Sequence, residues 1–183
     1  MLTGAPLDAA ILQLPSRARR DTFFRAMRLE FASDPLGKRR PIVNQRFNVA
    51  GGARILYLAD DQVTALHEAR AFGFPASSVA IVPVECVLRA VVDLRDPAVQ
   101  AMLQTNPVEL SYNFRSLPSG SPPHATQTLG ERISASRRVD GLIYESPARR
   151  RHADLAVIES ALATLGSSIA VNDPTNKLSD SLP

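Results

Sequence analysis

Apolar and polar positions along this chain follow two different periods. From Thr22 to Phe31 the residues Phe23, Arg25, Met27, Leu29 and Phe31 fall on one side of a period-two pattern. That predicts a strand whose otherwise apolar face carries one arginine. ILYLA (Ile55 to Ala59) reads as a compact strand, and two β-rich runs follow at Val79 to Cys86 and Leu88 to Leu94. GLIYES (Gly141 to Ser146) and Leu155 to Ile158 read as the last strands. Between them the period lengthens. Asp60 or Asp61 caps a helix that runs to about Phe72 and is stopped by Gly73 and Pro75. A short helix over 7–14 ends at Pro15, and another starts at Asp96-Pro97, where Asp caps and Pro suits the first turn. TQTLGERISASRR (126–138) reads as a helix interrupted or bent at Gly130.

Loops separate these elements. One holds Pro35, Gly37 and Pro41 and ends in QRFN and the glycine hinge AGGA, and another is SLPSGSPPHA (116–125). No segment repeats. The pattern predicts an α+β fold: one domain with a mixed, mainly antiparallel sheet flanked by helices. Residues 1–21 are expected to form a helix and a basic arm, 22–173 the domain, and 174–183 a flexible tail with little to bury.

Composition narrows the setting. With 183 residues, 45% of them hydrophobic and 21% charged, the chain can build one sizeable core. No run approaches the about 18 apolar residues of a membrane span, so no membrane association is expected. Arg17, Arg19 and Arg20 follow the apolar AAILQL, the reverse of an export signal. Cys86 is the sole cysteine, so no internal disulfide forms, and its apolar surroundings suggest a small buried side chain. These features point to the cytoplasm. The net charge of +3 is too small to identify a nucleic-acid binder. Basic clusters do occur at Arg17/Arg19/Arg20, Lys38–Arg40, Arg137-Arg138 and Arg149–Arg151, as solvated loop charges or as contacts for phosphate or an acidic partner. Aromatic residues at 5%, with no Trp, argue against a base-stacking surface.

Familiar catalytic signatures are missing: there is no GxxxxGK[ST], no GxGxxG after a strand, no HExxH and no CxxC. His67, His124 and His152 lack metal-ligand spacing. What stands out is a series of polar residues in apolar settings: Arg25, Arg46 in QRFN, Tyr57 in ILYLA, Glu68 in ALHEAR, and Ser146 closing GLIYES. At ~100° per residue, Glu68 sits at the edge of the arc formed by Ala65, Leu66, Ala69 and Phe72. It is either solvated there or directed into a cleft beside the helix.

In order and spacing this series resembles the RES-domain family, named for its Arg, Glu and Ser and made up of toxins from bacterial toxin–antitoxin pairs. The counterparts are Phe24-Arg25, Arg46-Phe47-Asn48, Tyr57-Leu58-Ala59, Ala65-Leu66-His67-Glu68 and Ser146, with TLGE (128–131) where the family has a helix. The resemblance spans roughly residues 22–172. Gln45 stands where a glycine is usual and Phe47 where Trp is; Ser146-Pro147 inverts the common order, and Asp154 lies where many members carry Asn.

The resemblance implies an ADP-ribosyltransferase-like fold and an enzyme that consumes NAD+ as substrate, without a metal. ADP-ribose would pass to a host protein, to water or to phosphate. It implies Glu68, Arg46 and Tyr57 as catalytic, and Arg25, Arg46, Tyr57, Ser146 and Asn48 as NAD+-binding. Paired guanidinium groups suit a pyrophosphate or can organise the ribose with Glu68. A fixed carboxylate suits the positive charge that builds on the ribose as nicotinamide leaves. Tyr57 offers a ring and a hydroxyl, and Ser146 a donor to phosphate or to the nicotinamide amide. The implied partner is an antitoxin with an Xre-like helix-turn-helix part that covers the active site. Direct nucleic-acid binding is not expected. Two other readings stand beside this one: a nucleic-acid-acting toxin or binding module, and an inactive RES-like scaffold.

Overall fold

The computed structural model describes residues 1–37, 43–112, 121–173 and 180–183. Among them the period-two segments become strands of one sheet: β1 (Arg17–Arg28), β2 (Ile55–Ala59), β3 (Val79–Asp93), β4 (Gly141–Glu145), β5 (Ala153–Ile158), β6 (Ser168–Val171) and β7 (Ser181–Leu182). Their order is β1-β2-β5-β4-β3-β6-β7, and β1 also pairs with β3. Five strands therefore close on themselves, and the bridge Phe24–Ala59 joins β1 to β2. Every pairing is antiparallel except β3 with β4. The α+β fold with a mixed, mainly antiparallel sheet is the one this chain adopts.

The helices are α1 (Gly4–Ile11), α2 (Gln62–Ala71), α3 (Pro97–Leu103), α4 (Pro107–Leu110), α5 (Ala125–Ser136) and α6 (Glu159–Leu165). At α2 and α3 side chains satisfy the first N–H groups as the sequence predicts. Asp61 accepts from Thr64 N, and Asp96 from Ala98 N ahead of Pro97. His124 and Gln127 cap α5 reciprocally.

Alternation along each strand produces two cores. Phe23 and Met27 of β1, Leu56 and Leu58 of β2, Ile143 of β4, Leu155 and Val157 of β5 and Val82, Val84, Cys86, Leu88 and Val91 of β3 form one cluster inside the closed ring. The opposite face carries Leu142, Tyr144, Ala156 and Ile158, covered by α1, α3 and α5 through Leu7, Ile11, Val99, Leu103, Leu129 and Ile133. Parity thus decides which core a strand residue joins.

Several elements differ from the sequence reading. β1 begins at Arg17, so the residues read as a basic arm are the first part of that strand. The two runs over 79–94 are one strand, because Pro83 sits where its carbonyl accepts from Asn172 N and β6 has ended. α5 passes unbroken through Gly130, where a Cβ would lie 1.9 Å from the Phe47 carbonyl oxygen; the glycine is there for close approach rather than a bend. α4, α6 and β6 carry no strong periodic signal and are set by packing. At the chain end Ser181–Leu182 pairs with β6, where the sequence suggested a free tail; residues 174–179, like Lys38–Arg40, lie outside the described residues. Cys86 is buried in the inner core, which pushes its thiol up to about 12. Among the described residues no helix is long and apolar enough to cross a membrane.

Candidate active site

On the outer face of the sheet, β4 and β5 run side by side with Tyr144 opposite Asp154, and Asp154 is in turn opposite Ala59 of β2. Two residues beyond Tyr144 the chain leaves the strand at Ser146, turns at Pro147, and presents the Ala148 N–H. α2, capped at Asp61 directly after β2, lays Glu68 against this turn. Glu68 Oε1 accepts from Ser146 Oγ at 2.5 Å and from Ala148 N at 3.1 Å. Glu68 is half-buried, while Ser146 is 1% exposed and Asp154 3%. Asp154 lies within hydrogen-bonding reach of both Glu68 and Ser146.

Two carboxyl groups so close and so dry cannot both carry charge cheaply. Burial above all, then the Glu68 charge and hydrogen bond, push Asp154 up to about 9. Among the described residues its buried Oδ1 has no hydrogen-bond partner. Burial, with Asp154 next in weight, also raises the Tyr144 phenol, which lies in the field of Arg46, Tyr57 and Glu68 as well. One ring is thus the meeting point of the site.

Arg46 arrives from the loop before β2. Its Nη1 donates to the carbonyls of Leu110 and, at 3.3 Å, of Tyr112, which are left open at the end of α4. Its guanidinium lies 5.6 Å from the centre of the Tyr144 ring. Only 6% of Arg46 is exposed. The loop itself is held from two sides. Tyr57 Oη accepts from Phe47 N at 2.9 Å and donates to Asn48 Oδ1 at 2.8 Å. From α5, Gln127 donates to the Gln45 carbonyl and Glu131 accepts from Ala53 N. Phe47 then seats edge-on against Tyr144, with ring centres 5.1 Å apart.

The RES-domain family model matches residues 22–178. The chain belongs to the RES-domain family. Among curated proteins none matches it. In fold it is similar to a crystal structure of the M. tuberculosis MbcT–MbcA toxin–antitoxin complex. That match has a TM-score of 0.63 and 15% sequence identity, over 98% of this chain and 92% of the other.

Within this RES domain Glu68, Ser146, Arg46 and Tyr57 converge around Tyr144. Arg25 does not join them. Phe24 pairs with Ala59 on the outer face, so Arg25 falls with Phe23, Met27 and Val82 on the inner one. There its guanidinium meets Gly37, where a Cβ would lie 2.8 Å from Nη2, and feels Asp34 and Asp180. Desolvation by burial lowers it to about 10. Arg25 and Arg46, expected together at the pyrophosphate or beside the ribose, are therefore on opposite faces of the sheet. Asn48 is buried behind Tyr57, with its side-chain oxygen already taken.

Sequence reasoning singled out neither Tyr144 nor Asp154 as a site residue. Both had a signal: Tyr144 precedes Ser146 by one strand period, and Asp154 is an acid inside the apolar run ADLAVI. Beside the site, Asp60, Asp61 and His152 bring potential metal-ligand atoms within 4.8 Å of one another. Asp61 is already paired with Arg149 at 2.8 Å and with His152 at 2.8 Å. Desolvation opposes its ionisation, but the Thr64 bonds and the Arg149 charge outweigh it and hold Asp61 down to about 2.

Proposed function

We propose that this RES domain is the toxin of a toxin–antitoxin pair and acts by cleaving the nicotinamide–ribose bond of NAD+. The observation that carries the reading is the Glu68 carboxylate, aimed by the Ser146 hydroxyl and the Ala148 N–H in a half-buried setting beside Arg46 and Tyr144. Departure of nicotinamide leaves positive charge on the ribose, and an oriented, poorly solvated anion stabilises that charge as it forms. Nicotinamide leaves neutral, so no acid has to protonate it. Ser146 and the Ala148 N–H hold the carboxylate against rotation. Arg46 uses Nη1 to grip the chain, and among the described residues the rest of its fork makes no hydrogen bond and is the part offered to the pyrophosphate. Tyr57 acts by bracing the Arg46 loop through Phe47 and Asn48 rather than by touching the sugar. The acceptor of ADP-ribose is a host protein, water or phosphate.

Family membership supports the toxin reading, as does likeness in fold to a solved structure of a toxin with its antitoxin. The corresponding partner here is a cognate Xre-like antitoxin whose C-terminal segment covers the Glu68 cleft. The test follows free nicotinamide from NAD+ with purified protein, alone, with phosphate and with host lysate. Glu68→Gln is expected to cut release by about 10²–10³-fold, a loss typical of removing one transition-state electrostatic contact, while the melting temperature moves by only a few degrees. Intact NAD+ in all three mixtures would sink the proposal.

A further inference from the structure

We propose that Asp154 is the positioning residue for Glu68: in its neutral carboxylic acid form it donates a hydrogen bond to the Glu68 carboxylate and, with Ser146, fixes the direction in which that carboxylate points. The proposal rests on the reading above, in which Glu68 serves NAD+ cleavage.

Three oxygen-bearing side chains meet from three elements: Glu68 from α2, Ser146 from the end of β4 and Asp154 from β5. Ser146 has one hydrogen to give, and gives it to Glu68 Oε1. The Ala148 N–H goes to the same oxygen. Both donors converge on that one oxygen and hold it in place. Ser146 is also within reach of Asp154, but its one hydrogen is already placed on Glu68; among the described residues the Asp154 Oδ1 is buried with no partner, and the residue is only 3% exposed. The groups that face it are Glu68 from α2, Ser146 and Tyr144 from β4 and its end, and Asp60 from the end of β2, the last lying 3.4 Å from His152. Two of these are acids, so a second charge at Asp154 would be repelled as well as unsolvated. Kept neutral, the same carboxyl becomes a donor, which an ionised aspartate cannot be. The direction of its shift agrees.

An amide at position 154 supplies the same donor and cannot ionise. The experiment therefore compares the full-length wild type, Asp154→Asn and Asp154→Leu, measuring nicotinamide release from pH 6 to 10. Wild-type activity is expected to fall by about tenfold per pH unit once the acid ionises on the alkaline side, the slope of a single essential proton. Asp154→Leu should be lower by about 10²-fold across the range, and Asp154→Asn should recover most of that loss without the alkaline fall. An alkaline fall unchanged in Asp154→Asn, or full activity in Asp154→Leu, overturns the proposal. A second readout needs no turnover: the ¹³C-labelled Asp154 carboxyl should keep a neutral-acid chemical shift at pH 7 and move only in the alkaline range. Movement near pH 4 overturns the proposal even if NAD+ is consumed. If the wild type consumes no NAD+, the functional reading fails, and the carboxyl signal alone decides whether Asp154 is the neutral donor.

Discussion

Asp140, just before β4, and Asp154, in β5, are both withdrawn from solvent, at 0% and 3% exposure. Their surroundings are opposite. Asp140 accepts from Arg89 N at 2.7 Å, from Ala90 N at 3.1 Å and from Ser167 Oγ at 2.5 Å, so each of its oxygens is answered by donors. It ties β3, β4 and the end of α6 together. Asp154 faces another carboxyl group, and among the described residues one of its oxygens has no partner. A buried acid surrounded by donors is a structural fastener, whereas one set against a second acid costs stability and has to be offset by the rest of the fold. The contrast separates scaffold from site more sharply than burial does.

Asp140→Ala leaves the Ala90 N–H and the Ser167 hydroxyl unanswered and Arg89 N with only its longer bond to Ser167 Oγ, and is expected to cost about 3 kcal/mol or more in urea unfolding, with nicotinamide release per folded molecule unchanged. A loss below about 1 kcal/mol would mean the network is not a fastener. Next in size, Tyr57→Phe removes the hydroxyl between Phe47 N and Asn48 Oδ1. About 1–2 kcal/mol should be lost, with activity falling as the Arg46 loop loosens. Unchanged stability and activity together would remove Tyr57 as a brace.

The smallest effect is expected at Asp61, paired with Arg149 but about a third exposed. Its acidity is strengthened on folding, so its contribution is present above the ordinary aspartate range and is lost as pH falls toward about 2. After discounting for solvent screening, Asp61→Asn should cost under about 1 kcal/mol at pH 7, and the gap from the wild type should close in acid. A gap that widens on acidification would contradict that sign.

Much of the frame was legible in the chain. The strand and helix after QRFN, with Tyr57, the Asp61 cap and Glu68, lie close together in sequence and so had to lie close together in space. The ring of β1 on β3 was harder to see, because it depends on pairing between segments some sixty residues apart. Arg25 shows the consequence. Its place among Phe23 and Met27 was visible in the period-two pattern, and that pattern alone put it on an apolar face. Grouping it with Arg46 required the two faces to be one, and the Phe24–Ala59 bridge makes them two. Gly130 misled in the other direction: glycine within a helical pattern suggests a bend, but here it admits the Phe47 carbonyl.

Local order along the chain determined the elements, their caps and the series from Arg46 to Glu68, because side-chain period and capping act over a few residues. Which acid lies against which was decided only by tertiary structure. Glu68, Ser146 and Asp154 come from a helix and two strands, and the register of β4 on β5 together with the docking of α2 brings them into contact. The proton count of that contact, and with it the difference between Asp140 and Asp154, follows from burial and neighbours that no local pattern encodes.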